Sequence, residues 1–257
     1  MKNIQKNFFE SSENWQTKKF SRPNSTIRVA SLFSGIGAFE QALDILGLKS
    51  KIVLACDNDQ FVKKSFFANY EINEKNWFDD VQEINGTKFK NKVDLLVGGA
   101  PCQSFSMVGK RLGLKDTRGN LTLHFIKKIN EIKPKVFIFE NVRALLSVDN
   151  GDAWKIIYNK FKQTGYTFYY NTLNAKNFGI PQNRERLFVI GFKNKQNFLF
   201  PQPIKLKNTM QDYLEGQFDK KFYLPPKGVA FVTKNKNLKK RYTQVNGKIA
   251  LCQKRNQ

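Results

Sequence analysis

From residue 27 onward the chain alternates between two hydrophobic rhythms. Short β-branched and aromatic runs at 27–33, 51–56, 93–97, 135–139, 167–173 and 187–192 read as strands, with a weaker run at 77–81. Between them, stretches at 38–46, 60–69, 121–132 and 152–163 carry apolar residues at helical spacing. In the last of these, Trp154, Ile157, Tyr158 and Phe161 recur every three or four residues. Pro134 stops the third helix, and Gly165 stands where a C-cap belongs. Strands alternating with helices predict an α/β fold, a mostly parallel sheet with helices on both faces. Residues 1–25 are polar and without period, and read as a loose arm. Residues 26–200 read as one domain. From residue 201 the pattern changes: 201–257 holds four of the eight prolines and 13 Lys or Arg against three acids, and reads as the start of a further region. There is no internal repeat.

Composition sharpens this picture. The 257 residues are 40% hydrophobic and include 24 Phe, enough to fill a sizeable core. The 44 Lys and Arg outnumber the 21 Asp and Glu, leaving a formal charge of +23. A field of that sign favours a polyanion, nucleic acid first, although a Lys- and Asn-rich composition also arises in AT-rich genomes. No apolar run is long enough for a membrane helix, and the N-terminus lacks the apolar centre of a signal peptide. Three cysteines, Cys56, Cys102 and Cys252, do not form a disulfide framework and suit a reducing cytoplasm. One His and no CxxC pair argue against a structural metal.

Candidate chemistry gathers where predicted strands end. The first strand runs into Phe33-Ser34-Gly35-Ile36-Gly37, where glycines permit a tight turn against a ligand. The second ends at Asp57-Asn58-Asp59. Asp57, 22 residues past Gly35, is placed to accept ribose hydroxyls, whereas Asp59 reads as a first-turn acid of the next helix. The pair supports an adenosine-type cofactor without separating NAD from S-adenosylmethionine. Glu40, at the third glycine position of a GxGxxG, argues against a dinucleotide.

The third clear strand leads into Gly98-Gly99-Ala100-Pro101-Cys102-Gln103-Ser104, a rigid polar turn that presents a thiol. A thiol needs a lowered pKa or a nearby cation to act as a nucleophile, and Lys110, Arg111, Lys115 and Arg118 follow it. A free Cys is more often a small buried hydrophobe, a reading that suits Cys56 better. The next strand ends in Glu140-Asn141-Val142. A carboxyl there, once desolvated, suits proton exchange with a heterocycle, or else pairs with a cation such as Arg143. In Gln182-Asn183-Arg184-Glu185-Arg186 the alternate residues Gln182, Arg184 and Arg186 would share one face of an extended chain. Arginine donors there suit carbonyl or phosphate oxygens.

Taken together, these residues resemble the DNA (cytosine-5) methyltransferase family, in order, from about residue 27 to 192. Phe33-Ser34-Gly35-Ile36-Gly37 resembles the S-adenosylmethionine loop. Asp79-Asp80-Val81 resembles the adenine-facing motif. Gly99-Ala100-Pro101-Cys102-Gln103 is similar to the nucleophile motif, Glu140-Asn141-Val142 to the acid motif, and Gln182 to Arg186 to the arginine motif. The resemblance implies a Rossmann-like S-adenosylmethionine-dependent fold. It implies that Cys102 adds to C6 of a flipped cytosine, that Glu140 engages N3 and the exocyclic amine, that Arg186 faces O2, and that Asn141 positions the loop, with Arg184 beside them. It implies a cofactor site of Phe33, Ser34, Gly35, Ile36, Gly37, Asp57, Asn58, Asp80, Val81, Gly99 and Pro101. DNA contacts would come from Gln103, Ser104, Lys110, Arg111, Arg118 and Gln182, and no metal is needed. The setting would be a bacterial restriction–modification system, in the cytoplasm with the nucleoid. Asp57-Asn58 stands where members often carry Glu and an aromatic residue. No closing Gly-Asn-Ser motif is found through Gln257, so 201–257 is expected to be a partial target-recognition region. Three further readings stay open: a subunit completed by a second polypeptide, an inactive remnant, and a tRNA cytosine-5 methyltransferase.

Overall fold

The computed structural model describes residues 19–101, 121–217, 219–239 and 247–252. They fall into two compact units. One comprises residues 1–172 with 186–200, the other 173–185 with 201–257.

The first unit is built on a seven-stranded sheet. Its strands are β1 (Ile27–Leu32), β2 (Ser50–Cys56), β3 (Trp77–Phe78), β4 (Leu95–Gly98), β5 (Val136–Val142), β6 (Thr167–Asn174) and β8 (Glu185–Phe192), in the order β3-β2-β1-β4-β5-β8-β6. β7 (Gln182–Asn183) belongs to the other unit. Strands β3, β2, β1, β4 and β5 pair in parallel, and β8 pairs antiparallel to β5. This is the mostly parallel α/β sheet that the pattern predicts. The helices α1 (Ala38–Ile45), α2 (Gln60–Asn69), α3 (Leu121–Ile132) and α4 (Asp152–Gln163) lie where the helical spacing puts them, to within one residue.

Side chains alternate across the sheet, so each strand feeds two cores. On one face, Phe125 and Ile129 of α3 and Ile157 and Phe161 of α4 pack on Phe137, Phe139, Leu187 and Val189. Phenylalanines supply much of this layer. The Phe137 and Phe161 rings stack 5.5 Å apart, and those of Phe125 and Phe139 lie 5.1 Å apart. On the opposite face, Leu43 of α1 packs with Val29 and Val97, and Phe66 of α2 with Ile52, Ala55 and Trp77.

The start of the sheet is stapled by charge. Asp94 Oδ2 accepts from Arg28 Nε at 2.8 Å and its Oδ1 from Nη2 at 3.0 Å, and Lys135 Nζ lies 2.8 Å from Oδ1. The predicted third strand begins at 93, but β4 begins at Leu95, because the Asp94 side chain is held by β1 and by the residue that precedes β5. The 77–81 strand is shorter than its pattern. It ends at Phe78, because the Asp79 carboxylate turns back to Trp77 Nε1 (2.8 Å) and Lys63 Nζ (3.2 Å). β5 is longer than expected and carries Glu140 and Asn141 within its last turn of pairing.

The second unit holds β7 and β9 (Ala250–Leu251), paired in parallel, together with α5 (Pro226–Val232) and α6 (Asn235–Lys239). These elements are too short for periodicity to reveal, and none was read from the sequence. No residue of α5 is buried, and Phe222, Tyr223, Leu224 and Phe231 are exposed. Among the described residues, no helix is long and apolar enough to cross a membrane.

Candidate active site

β1 gives way to the glycine loop through a sharp change of backbone. Phe33, Gly35 and Gly37 all have positive φ, at 55°, 53° and 89°. In Phe33 this conformation costs about 1–2 kcal/mol, strain of the kind that folds hold at binding sites. The curl uses the loop's own donors: Ser34 N donates to Cys56 O at 3.0 Å and Gly37 N to Ser34 O at 3.1 Å. Gly37 is also required by space. A Cβ there would lie 2.1 Å from the Tyr70 ring, whose hydroxyl donates to the Gly37 carbonyl at 2.9 Å. Tyr70, just past α2, is a positioning residue that no sequence motif marks.

The ends of β2 and β3 tie into this loop. Asp57 Oδ2 accepts from Gly35 N at 2.9 Å, and its Oδ1 from Asp59 N at 3.1 Å. The two sequence signals 22 residues apart thus meet directly. Each oxygen of Asp57 keeps a further lone pair for a ligand hydroxyl. Asp57 N donates to Phe78 O at 3.2 Å, which joins the two strand tips. Asp59 sits one step earlier than read, as the N-cap of α2, accepting from Phe61 N at 2.8 Å. Asp80 Oδ1 accepts from Gln82 N at 2.8 Å. Val81 is buried in the main core. Burial, then Asp57, Asp80, Asp79 and Glu83 in that order, push the Cys56 thiol up to about 12, so Cys56 is an inert core thiol. The same cluster makes this corner acidic on a strongly basic chain.

Along β4 and β5, register places the chemistry. Ser31, Val97, Ile138 and Ile190 pair across four strands in one row. Two residues further on, the same face carries Gly99 and Glu140, and beyond them Arg186, which pairs with Val142. Glu140 Oε1 lies 2.9 Å from Arg186 Nε, with both side chains about four-fifths buried. Glu140 Oε2 lies 2.8 Å from the point a Cβ on Gly99 would occupy. Glycine at 99 therefore makes room for this carboxylate. On the opposite face of β5, Asn141 is buried. Its Nδ2 donates to Ala100 O at 3.0 Å and its Oδ1 accepts from Val142 N at 2.8 Å. Asn141 thereby fixes the backbone two residues before Cys102.

The arginine motif divides. It is not one extended strand: β7 ends at Asn183 and β8 begins at Glu185, with Arg184 between them. Arg186 belongs to the first unit and pairs with Glu140. Gln182 and Arg184 belong to the second. There, Gln182 pairs with Ala250 in β9, Arg184 N donates to Asn174 Oδ1 at 3.2 Å, and Arg184 Nη1 lies 3.5 Å from Cys252 Sγ. These contacts of Gln182 and Arg184 thus lie within the second unit, and the Glu140 pairing of Arg186 within the first. Pro101 is exposed. Cys102, Gln103, Ser104, Lys110, Arg111 and Arg118 lie outside the described residues. Among the described residues, no cluster of three His, Cys, Asp or Glu could hold a metal ion.

The family model of the C-5 cytosine-specific DNA methylases matches residues 27–256. The chain belongs to this family. It is 38% identical to the orphan methyltransferase M.SPRI of Bacillus phage SPR, over 77% of this chain and 52% of that protein. It is 35% identical to the Type II methyltransferase M.HhaI of Haemophilus parahaemolyticus, over 73% of this chain and 57% of that one. Among solved structures, a methyltransferase of Entamoeba histolytica superposes with a TM-score of 0.64 at 20% identity, covering 78% of this chain and 63% of the other. A DNMT2 variant of Spodoptera frugiperda gives 0.62 at 24%, covering 77% and 62%. Both share the Rossmann-like methyltransferase fold. The chain spans about half the length of the curated relatives it matches.

Proposed function

We propose that the chain is the catalytic and cofactor-binding part of an S-adenosylmethionine-dependent DNA (cytosine-5) methyltransferase of restriction–modification type. Residues 26–200 would carry the chemistry, and 201–257 the beginning of target recognition. The observation that carries this reading is the Glu140–Arg186 pair facing Gly99, three residues before Cys102 on the same strand exit.

The residues present fit the cofactor. The N-terminus of α1 suits its carboxylate. Asp57 suits its ribose hydroxyls, and the acidic corner suits a cation and an exocyclic amine. When bound, S-adenosylmethionine supplies a methyl group on a positively charged sulfur.

The cytosine must leave the stack to be reached, and the basic chain favours the DNA phosphates. The Cys102 thiolate then adds to C6, forming a C–S bond and moving electron density toward C5 and N3. Glu140, oriented by Arg186, engages N3 and the exocyclic amine and stabilises the adduct. The Arg186 guanidinium faces O2. Asn141, through Ala100, holds the Cys102 turn against the ring. With the cofactor bound, C5 would take its methyl while the electron pair of the S–CH3 bond stays on sulfur as a neutral thioether. The C5 proton would then depart to a base, and the electron pair of that C–H bond would restore the ring as the Cys102 thiolate leaves. The second half of such an enzyme, in the same polypeptide or a second one, would read the target sequence and cover the exposed Phe222, Tyr223, Leu224 and Phe231.

Covalent trapping tests this reading. With S-adenosylmethionine present, duplex DNA carrying 5-fluorocytosine should give a denaturation-resistant complex with the chain, supplied if needed with the remaining segment, because a methylated C5 that carries fluorine has no proton to lose. Cys102→Ser should abolish it. A complex that forms equally with Cys102→Ser contradicts the mechanism.

A further inference from the structure

Glu40 stands in the first turn of α1, where a carboxylate ordinarily points out to cap the helix N-terminus. Here it is 1% exposed, neither of its oxygens has a hydrogen-bond partner, and the N-cap, Gly37, offers no side chain. The Ser31 hydroxyl of β1, fully buried, is likewise unpartnered. The two groups are close enough for the hydroxyl to act on the carboxyl, yet not in hydrogen-bond geometry. Ser31 lies one row beneath the row of Gly99 and Glu140, directly under the glycine loop. Two buried polar groups left unmatched in so well packed a layer call for an explanation.

The surroundings decide the charge state. Ionisable groups that face Glu40 are Asp44 on its own helix and Tyr70 past the end of α2, both of which become negative on ionisation. Ser31 on β1 is neutral. Burial pushes the Glu40 carboxyl above the usual range and Asp44 adds to this, while the Ser31 hydroxyl and the Glu40 backbone N–H oppose it. A buried carboxylate with no cation beside it is costly, so burial favours the neutral acid.

We propose that Glu40 is a positioning residue of the cofactor loop, kept as the neutral acid so that the positive end of α1 stays available to an anionic group of the ligand. An ionised Glu40 in the first turn would neutralise that end and repel a ligand carboxylate. The neutral acid instead fills the space under Gly35–Gly37 and anchors α1 to β1 without presenting charge. This rests on the cofactor reading given above.

The test uses the whole chain and S-adenosylhomocysteine as probe, with affinity measured by calorimetry from pH 4.5 to pH 9.5. Wild type is compared with Glu40→Gln, a neutral isostere, and thermal melts are recorded at each pH. The Gln variant should bind within about threefold of wild type at the acidic end and overtake it as pH rises and Glu40 ionises. Its melting temperature should likewise gain on wild type with rising pH. Parallel affinity curves for the two proteins across the whole range would overturn the proposal. So would a tenfold or greater loss in a folded Glu40→Gln at the acidic end, which would mean that a neutral side chain does not serve. Should Glu40→Gln not fold, Ser31→Ala with intact Glu40 gives a second test. Loss of the hydroxyl raises the Glu40 carboxyl further, so the wild-type decline in affinity should move to higher pH, and an unmoved decline would overturn the proposal. If wild type binds no S-adenosylhomocysteine at any pH, the cofactor reading itself fails.

Discussion

Arg186 Nε lies 2.9 Å from Glu140 Oε1, across the antiparallel pairing of β5 and β8. The pair joins the end of a parallel strand to the start of an antiparallel one, so the sheet itself sets the orientation of the carboxylate. Glu140→Gln should lower methyl transfer about 100-fold or more, the ordinary scale for removing a positioned acid. The far-UV circular dichroism should not change. Arg186→Met should cost activity on the same scale and lower the melting temperature as well, because it leaves Glu140 partly buried without its cation. Equal activity of either variant and wild type would contradict the assignment.

Gly99 gives a steric test of the same site. A Cβ there would meet Glu140 Oε2 at 2.8 Å, and the carboxylate has little freedom to retreat because Arg186 holds its other oxygen. Gly99→Ala should therefore lower turnover at least tenfold while costing about 1–3 kcal/mol of stability. Assays of turnover and thermal melting on one preparation would separate the two effects. Full activity in Gly99→Ala would mean that Glu140 does not occupy this position during catalysis.

Much of this fold is legible in the sequence because its cores are layered. A helix or strand of eight or more residues that buries one face must repeat its apolar positions, and α2, α3 and α4 run from end to end as their spacing predicts. The motifs at strand ends are legible for a related reason: Gly35 and Asp57 are residue types that a strand interior disfavours, and Glu140 is a charge closing an apolar run. What escapes is either short or tertiary. β7, β9, α5 and α6 are too brief to show a period. The Asp57–Gly35 bond, the Tyr70 cover on Gly37 and the burial of Glu40 depend on neighbours distant in sequence. Arg184 was grouped with Arg186 by alternation alone, which cannot see that the chain leaves one strand and enters another between them.

Asp94 should govern acid stability. The Arg28 guanidinium holds its carboxyl far below the usual range, with Lys135 assisting. A depressed folded pKa means that the contribution is complete above the unfolded value of about 4. It is lost as pH falls below that value toward the folded one. Asp94→Asn should cost about 2 kcal/mol at neutral pH, and its stability should fall less steeply than wild type between about pH 4 and pH 2. Urea melts across that window would show it. Parallel curves for the two proteins would contradict the staple.

Lys128 and Glu131 form a buried pair in α3. The Lys128 ammonium is 2% exposed and donates to the Ile84 carbonyl and to Glu131 Oε2 at 2.9 Å, which also accepts from Gly86 N at 3.1 Å. Removing the acid alone strands a buried cation, so Glu131→Leu should destabilise by about 3 kcal/mol or more. The double variant Lys128→Met with Glu131→Leu should recover part of that loss. Additive losses in the double-mutant cycle would show that the two residues do not act as a pair.

The central claim is methyl transfer through Cys102. The most direct measurement follows a radiolabelled methyl group from S-adenosylmethionine into mixed-sequence duplex DNA. The full chain is used, with and without a polypeptide supplying the rest of a methyltransferase, and the DNA is digested to nucleosides. The account predicts label in 5-methylcytosine and none with Cys102→Ser. Label in any other nucleoside, or 5-methylcytosine formed equally by Cys102→Ser, would contradict it. So would no label at all from folded, cofactor-bound protein that has been supplied with the remaining segment.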